Sequence, residues 1–431
     1  MALSADTQPH YTTISKFITL MQNQIVDLFV QVLMICDEMK LIGREMFAID
    51  GCKLPSNASK QWSGTRQSFE LKMTKMKKQV AKIVQKHRQS DKSDSDEQTT
   101  AREKQYKRTL EKKISKISRW LKDHNDKIGK SGKAIQSNIT DNDSAKMKTN
   151  KGVIQGYNAV AVADGKHQVI VAAHAYGSGS EQDVLKPMID QVRDNFESIG
   201  DRKDVFSGRK TKAKLTADAG YHSKTNLEML SREKVDAYVA DPQLRKRDER
   251  FTDVDKYKQR HRKERRKLNN SKMKFAAKDF KFDDKLQYCI CPAGKRLYRN
   301  GGHKDLNGFR TAKFNGRLTD CRVCHLRAKC LRYPERSQYR QVHYFIGKNS
   351  DTDEPAYIEL MKAKIDSDQG RAIYGKRIGT IEPVFAHIRT TLRLDRFTLR
   401  GNEKVNVQWL LYSILHNLKK IHSYGPLYNT S

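Results

Sequence analysis

Long apolar runs are missing from this 431-residue sequence. No apolar stretch approaches the roughly 20 residues needed to span a bilayer, and the N-terminus lacks the charged-then-apolar pattern of a secretory signal. These two absences predict a cytoplasmic protein with no membrane partner. Apolar residues still make up 37% of the chain, which is adequate for a folded core.

Acidic residues are scarce relative to basic ones. The chain has 84 lysines and arginines against 50 aspartates and glutamates, which gives a formal net charge of +34. Such an excess is more than solubility requires and predicts a polyanionic partner, most simply nucleic acid. An anionic membrane surface is the competing interpretation, but the basic residues do not gather on one amphipathic helix.

Seven cysteines are present, an odd count, and five of them fall between residues 289 and 330. In a cytoplasmic chain this clustering indicates a metal site before a disulfide. The spacing suits a structural zinc site, whose predicted ligands are Cys291, Cys321, Cys324 and Cys330. His303 and His325 are the alternative ligands, and reduced cysteines packed in a small subdomain are the alternative to metal.

Three segments have strong helical or charge patterns. Ile14 to Met39 is predicted to be one amphipathic helix, with an inward stripe of Phe17, Met21, Ile25, Leu28, Val32 and Ile35. Ser68 to Trp120 is predicted to be a helical hairpin. Arg245 to Lys274 is dense in lysine and arginine with few large apolar residues, and is predicted to be an exposed basic arm.

Two short apolar strands each run into an aspartate. We expect Met46–Ile49 to end at Asp50, and Lys214–Ala217 to end at Asp218. A hairpin is predicted between them along the chain, with strands Val153–Val162 and His167–Ala175 around an Asp-Gly turn. Carboxylates at the ends of buried strands face the crevice where α/β sheets bind ligands.

Glu382 is the third acidic candidate. A helix starting near Thr380 tolerates Pro383 in its first turn and places Glu382 and Arg389 on one face. Two strand-end aspartates and a helical glutamate can hold two Mg²⁺ or Mn²⁺ ions. Asp141 and Asp143 are rivals for the first position, but they do not close an apolar run as Asp50 does.

Four stretches of the sequence carry a resemblance to a known family. They are FAIDGCKLPSNASK around Asp50, GVIQGYNAVAVADGKHQVIVAA, LTADAGYHSKTNLEML around Asp218, and IGTIEPVFAHIRTTLRLDRFTLRG with the trailing HNLKKI. The chain resembles the DDE transposases of bacterial insertion sequences, in the branch with a Tyr-Arg-Glu-Lys signature. The resemblance implies that Asp50, Asp218 and Glu382 are the catalytic metal ligands.

The same resemblance assigns the signature residues. It implies that Tyr374 and Arg377 are the Tyr and Arg of the signature, and that Arg389 stands in place of its Lys; all three are expected to contact DNA. Two features depart from the pattern, since four residues instead of three separate Arg377 from Glu382, and Arg389 keeps the charge of lysine but not its shape.

A third departure concerns the N-terminus. Only one predicted helix precedes Asp50, so we expect a shortened DNA-binding region there. The expected fold is α/β, with an RNase H-like mixed sheet, flanking helices, a helical-hairpin insertion and a small cysteine-rich, zinc-knuckle-like insertion. The predicted segments are 1–44 (N-terminal helical), 45–67 (first catalytic strand and loop), 68–135 (helical hairpin), 136–244 (RNase H-like core), 245–285 (basic arm), 286–345 (cysteine-rich) and 346–431 (C-terminal helical part of the core).

The predicted function is metal-dependent cleavage and strand transfer at insertion-sequence ends. The expected partners are double-stranded DNA, as transposon ends and as target, and a second protomer in a homodimer on DNA. The main alternative is an inactive, zinc-stabilised DNA-binding remnant of a transposase. A nuclease without strand transfer would use the same site and differ only in its products.

Overall fold

The computed structural model describes residues 8–90, 97–129, 132–149, 152–208, 212–248, 274–306, 309–348 and 357–425, without the side chains of 88–90, 97–100, 305, 306 and 348. The chain divides into two compact units. Residues 1–244 and 357–431 form the sheet unit, and residues 245–356 form the cysteine unit. Most of the predicted basic arm, residues 249–273, lies outside the described residues.

The helices and strands are numbered in chain order. The helices are α1 Tyr11–Leu20, α2 Gln22–Glu38, α3 Arg66–Ser90, α4 Glu97–Asp123, α5 Leu185–Ser198, α6 Lys224–Arg232, α7 Leu244–Arg247, α8 Leu318–Arg322, α9 Arg327–Cys330, α10 Tyr357–Asp366, α11 Asp368–Ala386 and α12 Asn402–Tyr424. The strands are β1 Met46–Pro55, β2 Ser63–Gly64, β3 Lys127–Ile128, β4 Ala134–Ile135, β5 Ser137–Asn138, β6 Ala145–Thr149, β7 Gly152–Asp164, β8 Ile170–Tyr176, β9 Lys214–Ala217, β10 Asp236–Val239, β11 Lys281–Phe282, β12 Tyr288–Ile290, β13 Arg296–Arg299, β14 Lys304–Leu306, β15 Phe309–Gly316 and β16 Gln341–Lys348.

A mixed sheet forms the centre of the sheet unit. Its strands run in the order β10–β9–β1–β7, with β6 and β8 both paired to β7. β9 is parallel to β1 and to β10, whereas β7 is antiparallel to β1 and to β8. The predicted hairpin is therefore antiparallel, and the two strands that lead to Asp50 and Asp218 are parallel neighbours, as the sequence pattern indicated.

The hydrophobic core of the sheet unit lies between this sheet and its helices. β7 and β8 are buried along nearly their whole length and consist largely of alanine, valine and isoleucine. α12 packs on β8, and buried Trp409 donates its indole N–H to the Val160 carbonyl at 2.9 Å. One continuous core joins α2, the sheet, α5, α6, α11 and α12.

The N-terminal segment differs from its prediction. Two helices, α1 and α2, meet at an angle of 74°, where one continuous helix was expected. Met21 lies at the break with non-helical backbone angles. The buried face also differs, because Phe17 and Leu28 are exposed, whereas Phe29 and Leu33, outside the predicted stripe, are buried.

The predicted helical hairpin is present as α3 and α4. These helices pack on each other around Phe69, Ile117 and Trp120, with the Phe69 and Trp120 rings edge to face at 4.9 Å. Within the described residues, no single helix is long and apolar enough to cross a membrane, and α1 with α2 meets that test only as a bent pair.

The cysteine unit has its own antiparallel sheet, in the order β11–β12–β13–β15–β14, with β16 paired to β15. Its core is small. The core consists of the buried side chains Phe280, Cys289, Leu297, Ala312, Phe314 and Val342.

Candidate active site

Strand register places Asp50 beside Asp218. Ile49 of β1 pairs with Ala217 of the parallel strand β9. The residues that follow this pair are Asp50 and Asp218, so the two aspartates lie side by side. Neighbouring positions in register point to the same face of a sheet. The expectation that Asp50 ends its strand is wrong, because pairing with β7 continues β1 to Pro55.

Helix α11 carries Arg377 and Glu382. The expected helix start near Thr380 is also wrong, since α11 begins at Asp368 and Pro383 lies inside it. A proline inside a helix leaves the carbonyl four residues earlier without its usual donor. Here the Gln168 side-chain amide donates to that carbonyl, on Gly379, at 2.9 Å, and so supports the turn that carries Glu382.

Asp218 and Glu382 both act electrostatically on Asp50. Burial raises the pKa of Asp50 to about 6, against the lowering effect of Arg377, while the negative charges of Asp218 and Glu382 raise it further. A carboxylate with like charges around it holds its proton longer than usual. The site therefore concentrates negative charge, as a cation site does.

Arg377 is the direct partner of Asp50. Its guanidinium Nη2 lies 2.5 Å from Asp50 Oδ2, and its side chain is only 7% exposed. Asp50 Oδ1 accepts the backbone N–H of Gly51 at 2.7 Å. The structure thus places Arg377 inside the acidic site, whereas the sequence pattern predicted a contact with a DNA phosphate.

The other two signature residues lie in different surroundings. Tyr374 is half-buried and packs with Tyr238, Leu244 and Ile365. Arg389 is exposed, lies in the π-helical turn His387–Thr391 and hydrogen-bonds Cys52, two residues from Asp50. Its guanidinium lowers the pKa of the Cys52 thiol, although burial raises that pKa overall.

The rival aspartates have structural contacts at the start of α12. Asp141 Oδ1 accepts the Tyr157 hydroxyl at 2.8 Å and the Gly401 N–H at 3.2 Å. Asp143 Oδ2 accepts the N–H of Asn402 at 2.9 Å. Carboxylates at a helix N-terminus satisfy its free N–H groups and complement the helix dipole, so these contacts account for both residues.

Glu181 was not predicted from the sequence. This residue follows β8, which is parallel to β1 because both are antiparallel to β7. β8 and β9 therefore end at the same edge of the sheet, and the loop after β8 brings Glu181 against Gly220, two residues after Asp218. Glu181 Oε1 lies 2.9 Å from Lys53 Nζ. The available signal was an acidic residue in the loop after a buried strand.

The carboxylates suit a divalent cation in their chemistry. Oxygen donors with surplus negative charge are what Mg²⁺ and Mn²⁺ prefer. Across the described ranges, however, no group of three or more His, Cys, Asp or Glu side chains is placed to hold a metal ion. In this arrangement Arg377 occupies one oxygen of Asp50, in the position that a cation would take.

Four thiols line one cavity in the cysteine unit. Cys291, Cys321, Cys324 and Cys330 lie among the largely apolar and basic residues that line a space of about 30 Å³. Gly294, at a positive φ of 77°, closes the turn after Cys291 through an N–H to the Cys291 carbonyl at 2.8 Å.

The remaining described thiol of this unit does not line the cavity. Cys289 is fully buried in the small core, and burial raises its pKa to about 11. For Cys330, burial raises the thiol pKa; Arg340 lowers it, and the other three cavity thiols raise it further. The four cysteines chosen from spacing are thus the four that line the cavity.

These features describe an α/β protein with a mixed sheet, an acidic site beside two parallel strands and a separate cysteine-lined cavity. Residues 290–422 match the family model described as Transposase DDE domain. The match confirms that this part of the chain resembles the DDE-type insertion-sequence transposases, while the Tyr-Arg-Glu-Lys branch stays a prediction. No curated protein and no solved structure matches the chain in these comparisons.

The matched residues cover only part of the site. Glu382 and the four cavity cysteines lie inside them, whereas Asp50 and Asp218 lie outside. A transposase domain implies DNA as the partner and transposition as the process. The assignment of the two aspartates rests on strand register and charge alone.

Proposed function

We propose that this protein is a DNA transposase that cleaves DNA at insertion-sequence ends and joins the freed ends to a target. The single observation that carries the proposal is that Asp218 lies beside Asp50 in the strand register and that Asp218 and Glu382 both act on the pKa of Asp50, although the three residues come from distant parts of the chain. The family match around Glu382 supports it. The net charge of +34 supports a nucleic acid substrate.

An RNase H-like core is part of the proposal. In the sheet, β1, β7 and β8 are three adjacent antiparallel strands. β9 and β10 come later in the chain and lie parallel to β1 on its other side. This order supports the assignment of Asp50 to the middle strand. The proposed domain boundaries follow those predicted from the sequence.

Asp50, Asp218 and Glu382 would hold the divalent cations. Bound Mg²⁺ or Mn²⁺ supplies a nucleophile from water, or from a DNA 3′-hydroxyl, and neutralises charge on the scissile phosphate. The protein's own part is to hold three carboxylates together on a rigid sheet and helix. Arg377 offsets part of their repulsion, and exposed Arg389 offers a guanidinium to a DNA phosphate.

The cysteine cavity completes the proposal with a structural role. Cys291, Cys321, Cys324 and Cys330 would bind zinc once their thiols are deprotonated, and the binding energy would stabilise the unit. A homodimer on DNA and a cytoplasmic location remain parts of the proposal.

An inactive DNA-binding remnant is the second candidate. The ion pair between Arg377 and Asp50 favours it, because a guanidinium on the first ligand opposes cation binding. A cleavage and strand-transfer assay with Mg²⁺, on DNA carrying the element's own ends, separates the two. Cut and joined products support the transposase; DNA binding without cutting in either Mg²⁺ or Mn²⁺ supports the remnant.

A further inference from the structure

Glu181 lies against the turn that carries Asp218. A Cβ placed on Gly220 would lie 1.6 Å from Glu181 Oε2 and 3.1 Å from Asp218 Oδ1. The two oxygens are therefore separated by less than the sum of these distances, a span that one cation or one water can bridge. Only a glycine leaves room for Glu181 at this place.

Lys53 holds Glu181 from the other side. The Lys53 ammonium lies 2.9 Å from Glu181 Oε1, and both side chains are largely buried, at 28% and 16% exposure. Only one carboxylate oxygen of Glu181 faces this lysine. The other faces Asp218 across Gly220, where like charges repel unless a cation or proton lies between them.

Tyr221 supplies an independent observation. Its side chain is fully buried, and its hydroxyl has no hydrogen-bond partner among the described residues. Burial raises its pKa most, and the charges of Asp50, Glu181 and Asp218 raise it further, so the hydroxyl lies within electrostatic reach of these carboxylates. A buried hydroxyl without a partner is costly, and a ligand or its water shell in the cluster would satisfy it.

We propose that Glu181 is a fourth carboxylate of the site, which binds a divalent cation together with Asp218 while the Tyr221 hydroxyl donates to this carboxylate–cation group. The inference rests on the proposed function, because it adds a ligand to the same cation site. Lys53 keeps Glu181 over Gly220 when no cation is bound. When a cation binds, Glu181 gives up its contact with Lys53 and shares the cation with Asp218.

Direct Mn²⁺ binding, measured on the full-length protein by calorimetry or electron paramagnetic resonance, tests this inference. Glu181→Gln should weaken binding about ten- to a hundred-fold. Glu197→Gln is the matched control, since it removes the same charge from an exposed position of the same unit. A melting curve for each variant shows that the fold is kept.

Lys53→Gln separates a ligand from a salt-bridge partner. If Glu181 only anchors Lys53, then Lys53→Gln and Glu181→Gln should change Mn²⁺ binding alike. Our inference predicts that the two variants differ in Mn²⁺ affinity. Binding should weaken in Glu181→Gln but stay unchanged or become tighter in Lys53→Gln, because a competing positive charge has gone. Equal weakening in both variants would overturn the inference.

Tyr221→Phe adds a further readout. It keeps the ring and removes the unpartnered hydroxyl, so stability should be kept or rise while Mn²⁺ affinity falls several-fold. Mn²⁺ binding that weakens in Asp50→Asn but not in Glu181→Gln would overturn this inference alone. A wild-type protein that binds no Mn²⁺ would contradict the proposed cation site as a whole.

Discussion

The two units place their functional side chains by different means. In the sheet unit, backbone register and helix α11 bring the carboxylates together, and one large core supports both. In the cysteine unit, a turn and two short helices bring four thiols to the lining of a small cavity, over a core of six buried side chains. Small units bury a smaller fraction of their surface on folding, so their stability depends more on disulfides, bound metals or oligomerisation.

This difference predicts how each unit responds to substitution. Exchanging a carboxylate for an amide of the same shape should leave the sheet unit folded and affect only its chemistry. Exchanging a cavity thiol should affect the fold of the cysteine unit, because the binding energy of the proposed zinc would be folding energy. Substitutions in both units test this contrast, beginning with the largest expected effect.

The largest effect is expected for Cys321→Ser and Cys324→Ser. Structural zinc contributes roughly 10–16 kcal/mol in small zinc-binding peptides, so each variant should lose metal and unfold the cysteine unit. Elemental analysis with limited proteolysis measures both. Cys289→Ala is the control; it removes a core thiol, and should lower stability while keeping the metal. Wild-type protein without any thiophilic metal would contradict this prediction.

The next effect concerns Glu382→Gln, Asp50→Asn and Asp218→Asn. Each removes a charged donor at nearly constant shape, so cleavage should fall at least about 10²–10³-fold, as on loss of one electrostatic contact to a transition state. DNA affinity should stay close to wild type in all three, and so should the melting temperature of Glu382→Gln and Asp218→Asn. Asp50→Asn should melt at a lower temperature, because it leaves the buried Arg377 guanidinium without its partner. Asp141→Asn serves as the contrast, since it removes a buried charge that caps α12 and should lower stability.

An active Glu382→Gln enzyme would assign the third ligand elsewhere. Cleavage that disappears together with the fold would instead remove the contrast between the two units.

Much of the sheet unit was predictable because its signals are local. Strand patterns at Lys214–Ala217 and Val153–Val162 predicted the two strands that flank β1, and the apolar run before Asp50 predicted β1 itself. The length of β1 was not predictable, because it is set by pairing with β7, a contact far along the chain.

Other errors have similar causes. The break at Met21 carries no local signal, since the buried face of α2 is set by what packs on it. The turn of α11 before Pro383 is supported by a hydrogen bond from Gln168, more than two hundred residues away. The position of Glu181 at the site could not be predicted from the sequence, because it depends on a tertiary contact at Gly220. In the cysteine unit, the spacing alone selected the thiols that line the cavity.

A third prediction concerns pH and the sheet unit. Burial lowers the pKa of His416 to about 4, so protonation of the unfolded chain below its ordinary value of 6.5 reduces stability as pH falls. The pKa of Asp50 is raised to about 6, so the folded state binds this proton at a higher pH than the unfolded chain does. Asp50 therefore increases stability as pH falls.

Each group changes the free energy of unfolding by about 3 kcal/mol between pH 6.5 and 4. The two changes have opposite signs and nearly cancel. Asp50→Asn should therefore lose stability on acidification relative to wild type, and His416→Gln should gain it. Urea denaturation in EDTA at several pH values measures both. Parallel profiles for all three proteins would contradict the assigned pKa shifts.

The smallest effect is expected for Gln168→Glu. This variant keeps an oxygen for Lys420 but removes the N–H that bonds the Gly379 carbonyl. Because that carbonyl is accessible to water, the cost should be only about 0.5–1 kcal/mol. Lys420→Met is the control for the other contact. A much larger loss would mean that α11 depends on this single bond.

The central claim is that Asp50, Asp218 and Glu382 form one divalent cation site. A crystal structure of the protein with Mn²⁺ and a DNA end, with manganese located by its anomalous signal, tests it most directly. We predict carboxylate oxygens of all three residues on manganese, at about 2.0–2.2 Å, and Arg377 displaced from Asp50. Manganese bound without Asp50, with Arg377 still paired to it, would contradict the claim.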